Sequence, residues 1–299
     1  MSEFIKIGKN IVVKPQGADY NLEPGKVYDL NWNRYADTYE FSENGDLNLP
    51  DKIYNLKKDA SFKKRVLNYF NASGAQTTGV MLAGVKGTGK TVLAKVIAKE
   101  SKLPIIVVDG EYPGRKLNKF FKGFKTPVCV IFDEIEKKWD TSEMLEFLDG
   151  VEATAKKLVL MTCNKLSLVS EYMQDRCSRV RYVRKYGARD NEELIRSLVE
   201  DNGIKNIDEV TNYIISKMCI LSIDNVLAFI KEIKLLENEN MTLDEIIEDM
   251  NISVFDKPLT KEESSSNILH VAVHEDCEDC EDEDYCEDED WDDVMKEAA

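Results

Sequence analysis

The residues Gly84-Val85-Lys86-Gly87-Thr88-Gly89-Lys90-Thr91 place three glycines, two lysines and two threonines within eight positions. Glycines let successive backbone N–H groups turn towards one anion, while a lysine followed by a threonine adds an ammonium and a ligand for a hard cation. An apolar run, Val80 to Ala83, leads into this stretch, and the helical pattern Val92 to Ala98 leads out of it. Strand, glycine-rich turn and helix in that order make a cradle for nucleotide phosphates, with the positive end of the helix dipole aimed at them. Lys90 is expected to reach the β- and γ-phosphates and Thr91 to ligate Mg²⁺. A merely flexible Gly/Lys turn does not require those flanks, so the stretch is read as a complete Walker A motif.

About forty residues past Lys90 comes Val128-Cys129-Val130-Ile131-Phe132-Asp133-Glu134. A buried parallel strand ending in two carboxylates delivers both to the C-terminal edge of the sheet, where ligands of open α/β folds bind. Asp133 is expected to hold the hydrated Mg²⁺, and Glu134 to orient and deprotonate the attacking water. The next apolar strand, Leu158 to Cys163, ends at Asn164, whose amide suits the γ-phosphate or that water, although Asn is also a common turn residue.

The elements that must position these groups follow from periodicity. Residues 1–55 carry short alternating stretches (Ile5 to Val13, Lys26 to Leu30, Thr38 to Phe41) between Pro/Gly/Asn turns, which predicts a small β-rich module. Leu56 to Asn71 reads as an amphipathic helix with Phe62, Val66, Leu67 and Phe70 on one side and a lysine-rich solvated face. From 56 to 188 strands alternate with helices: Val80 to Ala83, Ile105 to Asp109, Val128 to Phe132, Leu158 to Cys163 and Val180 to Val183. That pattern predicts a three-layer α/β domain with a parallel sheet. After Gly187 the strands stop, and 189–252 reads as a small all-helical domain with Asp190, Ser222 and Thr242 placed as N-caps.

From Glu275 to Asp293 fourteen of nineteen residues are acidic, so the tail carries nearly all of the net charge of −16 and the body is close to neutral. Residues 253–299 are expected to be disordered, because they cannot bury enough apolar surface to offset ordering entropy. Within them His270, His274, Cys277 and Cys280 have zinc-competent side chains, but lie too close in sequence to enclose a zinc-finger fold. The seven cysteines show no secreted disulfide framework, and Cys129 and Cys163 sit in apolar runs. No apolar run approaches a membrane span and the first residues have no signal-like stretch, which predicts a soluble, cytoplasmic protein without membrane contact.

Taken together, Gly84 to Thr91, Asp133-Glu134, Leu148-Asp149-Gly150-Val151, Thr162-Cys163-Asn164 and Asp175-Arg176-Cys177-Ser178-Arg179-Val180 resemble the AAA+ ATPases. The likeness covers about residues 56 to 250 and is similar to the AAA clade proper, the mitochondrial AAA chaperone branch in particular. The resemblance implies ATP and Mg²⁺ as ligands, a P-loop NTPase core, Asn164 as the sensor-1 residue and the C-terminal helices as a lid. It also implies that Arg176 and Arg179 project into the nucleotide of a neighbouring subunit in a homo-oligomeric, hexameric ring. Arginine suits that role because its fork binds two phosphate oxygens and stays charged. A sensor-2 arginine is missing from Leu221-Ser222-Ile223-Asp224-Asn225, as in the AAA clade proper. Where threading members carry a pore aromatic, Glu111-Tyr112-Pro113-Gly114 stands in a shorter loop, and Tyr-Pro-Gly is also an ordinary turn.

These readings converge on a ring ATPase coupling ATP hydrolysis to remodelling of a macromolecular partner, with protein favoured over nucleic acid by the near-neutral body. The alternative is a DNA-transaction ATPase such as a clamp or helicase loader. There Arg115, Lys116, Lys119, Lys122 and Lys125 would line a channel and the acidic tail would be autoinhibitory.

Overall fold

The computed structural model describes residues 4–7, 10–13, 21–33, 35, 37–54, 56–108, 114–139, 144–149, 155–187, 191–239 and 241–259. Tyr112, Asp190, the His270 to Cys280 group and the acidic tail lie outside these residues.

A seven-stranded sheet holds the site. Its strands are β3 (Val27–Asn33), β4 (Thr38–Asn44), β5 (Thr77–Gly84), β6 (Ile105–Val108), β7 (Val128–Phe132), β8 (Lys157–Cys163) and β9 (Val180–Tyr186). Their order is β4-β3-β6-β7-β8-β5-β9, and every neighbouring pair is parallel except β3 with β4. Strands β7 and β8 are buried from end to end. Their alternate residues enter two different cores, as strands covered on both faces require. Val130, Phe132, Val159 and Met161 pack on one face with α3 (Gly114–Lys122) and α5 (Met144–Asp149). Cys129, Ile131, Leu158 and Leu160 pack on the other with α1 (Lys57–Ala72) and α2 (Lys90–Ser101). The result is a three-layer α/β fold. In α1 the spacing of Phe62, Val66 and Phe70 buries all three, each contributing about 1.5–3 kcal/mol of transfer free energy.

The amino-terminal strands differ from expectation. A separate β-rich module over residues 1–55 does not describe β3 and β4, which extend the main sheet: Val27 to Leu30 pair in parallel with Ile105 to Val108. Val27, Tyr28 and Leu30 are all buried, so β3 needs cover on both faces, and within the main sheet Leu30 joins the core with Leu117 and Phe121 of α3 and Val27 the core with α1 and α2. Only β1 (Phe4–Ile7) and β2 (Asn10–Val13) make a two-stranded sheet of their own among the described residues.

Between β7 and α5 lies the short helix α4 (Ile135–Lys138), and α6 (Glu171–Gln174) precedes β9. Beyond β9, helices α7 (Glu192–Asp201), α8 (Ile207–Lys217), α9 (Ile223–Leu235) and α10 (Leu243–Glu248) enclose a third core around Ile195, Ile214, Phe229 and Ile230. Ser222 Oγ accepts the Asn225 N–H at 3.2 Å, and Thr242 shares a reciprocal capping box with Glu245, as side-chain oxygens at these positions should. Tyr54 and Leu56, from the strand-to-helix arm before α1, pack against this helical core.

Candidate active site

Sheet order decides which residues meet. Strand β8 lies between β5, which feeds the glycine-rich loop, and β7, which ends in the two carboxylates. Asn164, one residue past β8, therefore sits between the lysine of the loop and Glu134. Its Oδ1 accepts from Lys90 Nζ at 3.1 Å while its Nδ2 donates to Glu134 Oε1 at 2.9 Å.

The loop itself is set by three glycines with positive φ: 139° at Gly84, 72° at Gly87 and 87° at Gly89, the residue capping α2. Two of them are also tightly packed. A Cβ on Gly84 would lie 2.3 Å from the Tyr186 carbonyl oxygen, and one on Gly87 would lie 2.6 Å from Ser222 Cβ. The loop thus touches α9 directly, and the Ile223 N–H donates to the Gly87 oxygen at 2.9 Å. Lys90 is buried, and its ammonium also donates to the oxygens of Gly84 and Val85 at 2.6 and 2.7 Å. Burial pushes its pKa below the ordinary lysine range, against the opposing pull of Cys163, Glu136, Asp133 and Glu134.

Asp133 is held by two hydroxyls. Thr91 Oγ1 donates to its Oδ1 at 2.8 Å and Thr162 Oγ1 donates to the same oxygen at 2.6 Å. Thr162 in turn accepts the Glu134 N–H at 2.9 Å, which fixes Glu134 in the left-handed region at φ 55°. A non-glycine residue there costs about 1–3 kcal/mol and persists only where neighbours over-determine it. The carboxylate of Glu134 also takes Lys137 Nζ at 3.0 Å on each oxygen. The Asn164 hydrogen bond first, and the Lys137 pair second, hold its pKa below the usual carboxylate range. Glu136 completes the edge by accepting the Asn164 N–H at 2.8 Å.

Lys90, Thr91, Asp133, Glu134, Thr162 and Asn164 line a cavity of about 670 Å³ that also has an apolar stretch of wall, with Ile53, Val96, Leu194, Leu198 and Leu227. A polar end with backbone amides, an ammonium and a hydroxyl–carboxylate pair, joined to an apolar end, fits a nucleoside triphosphate with its divalent cation. Thr91 and Asp133 are oxygen donors of the kind Mg²⁺ prefers, and α2 offers its N-terminus with no acidic residue in its first turn.

Arg176 and Arg179 are not brought to this cavity in their own chain. Arg176 is exposed. Arg179 is engaged at all three nitrogens: Nε and Nη2 donate to Asp149 Oδ1 and Oδ2 at 2.6 and 3.1 Å, and Nη1 donates to the Tyr172 oxygen at 2.5 Å. Glu136 and Lys137 lie outside the motifs, while Thr162 and Asp149 stand within quoted motifs that assigned them no role of their own. The signal for Thr162 is a hydroxyl near the end of an otherwise apolar strand.

A family model described as "ATPase family associated with various cellular activities (AAA)" matches residues 80–185. Those residues are an AAA+ ATPase core. The segment includes the glycine-rich loop, both carboxylates, Asn164 and both arginines. The ATP-dependent zinc metalloprotease FtsH of Cupriavidus metallidurans is 27% identical over 163 residues, covering 45% of this chain and 25% of that protein. The ATP-dependent zinc metalloprotease YME1L of Drosophila melanogaster is 31% identical over 134 residues, covering 37% of this chain and 18% of its own length. The chain therefore spans a quarter or less of these curated relatives. A solved structure titled as the Thermotoga maritima RuvB Holliday junction branch migration motor superposes at TM-score 0.47 with 16% identity, over 66% of this chain and 70% of that one. Among the described residues no helix is long and apolar enough to cross a membrane.

Proposed function

We propose that the chain hydrolyses Mg-ATP and couples hydrolysis, in a homo-oligomeric ring, to remodelling a protein partner. The observation that carries the chemistry is the continuous hydrogen-bonded chain from Thr91 through Asp133, Thr162, Glu134 and Asn164 to Lys90. It ties the phosphate loop, the cation ligands and a general base into one unit. Bound Mg-ATP supplies an electrophilic γ-phosphorus and a leaving group whose charge the cation spreads.

In this reading the N–H groups of Gly84, Val85, Lys86, Gly87, Thr88 and Gly89 face the phosphates, Lys90 and Thr91 close the cradle, and Asp133 with Thr91 holds the cation. Glu134 takes the proton of the attacking water, and Asn164 orients that carboxylate. Lys90 must exchange its loop carbonyls for phosphate oxygens, a trade of neutral acceptors for charged ones that favours the bound state. Arg176, exposed, is the arginine available to a neighbouring subunit. Arg179 is committed within its own chain and braces the turn that carries Arg176, whose carbonyl accepts the N–H groups of Arg179 and Val180 at 2.9 and 3.2 Å.

A protein cargo fits the described surface better than nucleic acid does. Of the lysines suggested for a DNA channel, Lys116 is ion-paired with Asp37, and Lys122 lies 3.7 Å from Glu146. The test is steady-state ATP hydrolysis by the full chain, with Glu134→Gln as the blank, alone and with unfolded polypeptide or single-stranded DNA. Stimulation by polypeptide supports the proposal. Stimulation by DNA that falls steeply with salt replaces the cargo, and hydrolysis that survives Glu134→Gln overturns the site.

A further inference from the structure

Two lysines follow the carboxylate pair in Asp133-Glu134-Ile135-Glu136-Lys137-Lys138, a run that as sequence looks like a solvated charged turn. Their placement differs. Lys138 Nζ lies over the Trp139 ring, 5.8 Å from its centroid. Lys137 turns back one helical step, and its ammonium sits 3.0 Å from both Oε1 and Oε2 of Glu134. Its own N–H donates to the Glu134 carbonyl at 3.1 Å, so backbone and side chain both return to that one residue.

We propose that Lys137 is a positioning residue that holds Glu134 in a resting ion pair, which must open before the carboxylate can address the attacking water. The inference rests on the reading of Glu134 as general base. A carboxylate has about four acceptor sites. Lys137 occupies one on each oxygen, and Asn164 occupies a further one on Oε1. A water molecule approaching the pair finds about one acceptor site left, on Oε2, an oxygen that already carries a cationic N–H. Because the side chains of Lys137 and Glu134 are 44% and 33% exposed, the pair is weak enough to be released by a modest movement of α4 or of the loop opposite. Lys137 therefore acts as a brake: it sets how often the base is free, without touching the reacting atoms.

The full chain with Lys137→Met should show kcat raised about two- to five-fold, the range a half-exposed ion pair supports, with KM for ATP unchanged. Lys137→Arg should stay near wild type. In a Glu134→Gln background Lys137→Met should do nothing, since the charge it pairs with is gone. A second readout needs no nucleotide: amine acetylation followed by mass spectrometry should label Lys137 more slowly in the wild-type chain than in Glu134→Ala. A fall or no change in kcat for Lys137→Met, or equal labelling of Lys137 in both chains, overturns the brake. Wild-type turnover in Glu134→Gln would instead overturn the general-base assignment, so the two failures are distinct.

Discussion

Replacing Asp149 by Asn separates two roles for Arg179 that a mutation of the arginine itself would confuse. The guanidinium meets Asp149 through two parallel contacts of 2.6 and 3.1 Å, with the Arg179 side chain 11% exposed and that of Asp149 30% exposed. Hydrogen bonds to a charged group contribute about 1.5–3 kcal/mol net, and the partial exposure of Asp149 argues for the lower half of that range. Asn keeps the size and one acceptor but presents an N–H to an N–H. A loss of about 2 kcal/mol in unfolding free energy is therefore expected, read from urea titration. The Arg179 hydrogen bond holds the Asp149 carboxyl below the usual range, so its contribution is fully present above the unfolded value near 4 and is lost as pH falls through the lower folded value. The gap between wild type and Asp149→Asn should be flat from about pH 5 to 8 and should close only in more acid solution.

The catalytic consequence decides the role. If Arg179 braces the turn that presents Arg176, loosening it misplaces a group acting across the subunit interface, and a displacement near 1 Å costs about 100-fold in rate. Asp149→Asn should then lower kcat by about ten- to a hundred-fold, and Asp149→Asn combined with Arg179→Ala should be no worse than Arg179→Ala alone. If Arg179 instead reaches the neighbour's phosphate, freeing it from Asp149 leaves turnover unchanged or raises it. Wild-type or faster hydrolysis by Asp149→Asn would refute the bracing role.

Three further outcomes follow from packing and charge. Gly87→Ala puts a methyl 2.6 Å from Ser222 Cβ at a φ of 72°, so α9 must withdraw from the loop; a lower Tm and weaker nucleotide binding by fluorescence titration are expected, and a wild-type Tm would sink the clasp. Asn164→Ala should lower kcat at least about tenfold while leaving KM nearly constant, because it removes contacts to Glu134 and Lys90 that orient rather than bind; a change confined to KM argues otherwise. Lys157, buried with its ammonium 3.0 Å from the Phe147 oxygen, has a pKa pushed down to about 8 by burial. The unfolded chain therefore binds the extra proton between pH 8 and the ordinary lysine value, and stability rises with pH across that window. Relative to Lys157→Met, the wild type should gain roughly 3 kcal/mol between pH 7 and 10.5 by chemical denaturation, and a flat difference would show that the ammonium is not desolvated.

What could be read in advance was what is local. Gly84 to Thr91 needs only eight consecutive residues to declare its turn, and Val128 to Phe132 needs only five apolar residues before two acids to declare a buried strand and its polar edge. Asn164 was legible because it stands at the end of the next such strand. The contacts that were not legible all join residues far apart in the chain or compete with a blander local account. Strand β3 shows the short alternating pattern of any small module, and only the distant β6, by offering an unpaired parallel edge, makes it part of the main sheet. Asp149 and Arg179 are thirty residues apart, and each is legible only as part of its own motif until α5 and the turn before β9 bring them together. The Ile223 N–H and the Gly87 carbonyl meet in a backbone hydrogen bond that neither residue's type announces. Lys137 is the sharpest case, since it is only three residues from Glu134. On a solvated helix that spacing is an ordinary ion pair worth a few tenths of a kcal/mol. It acquires a consequence only because Thr162, on another strand, pins the Glu134 backbone so that the same carboxylate faces the phosphate loop.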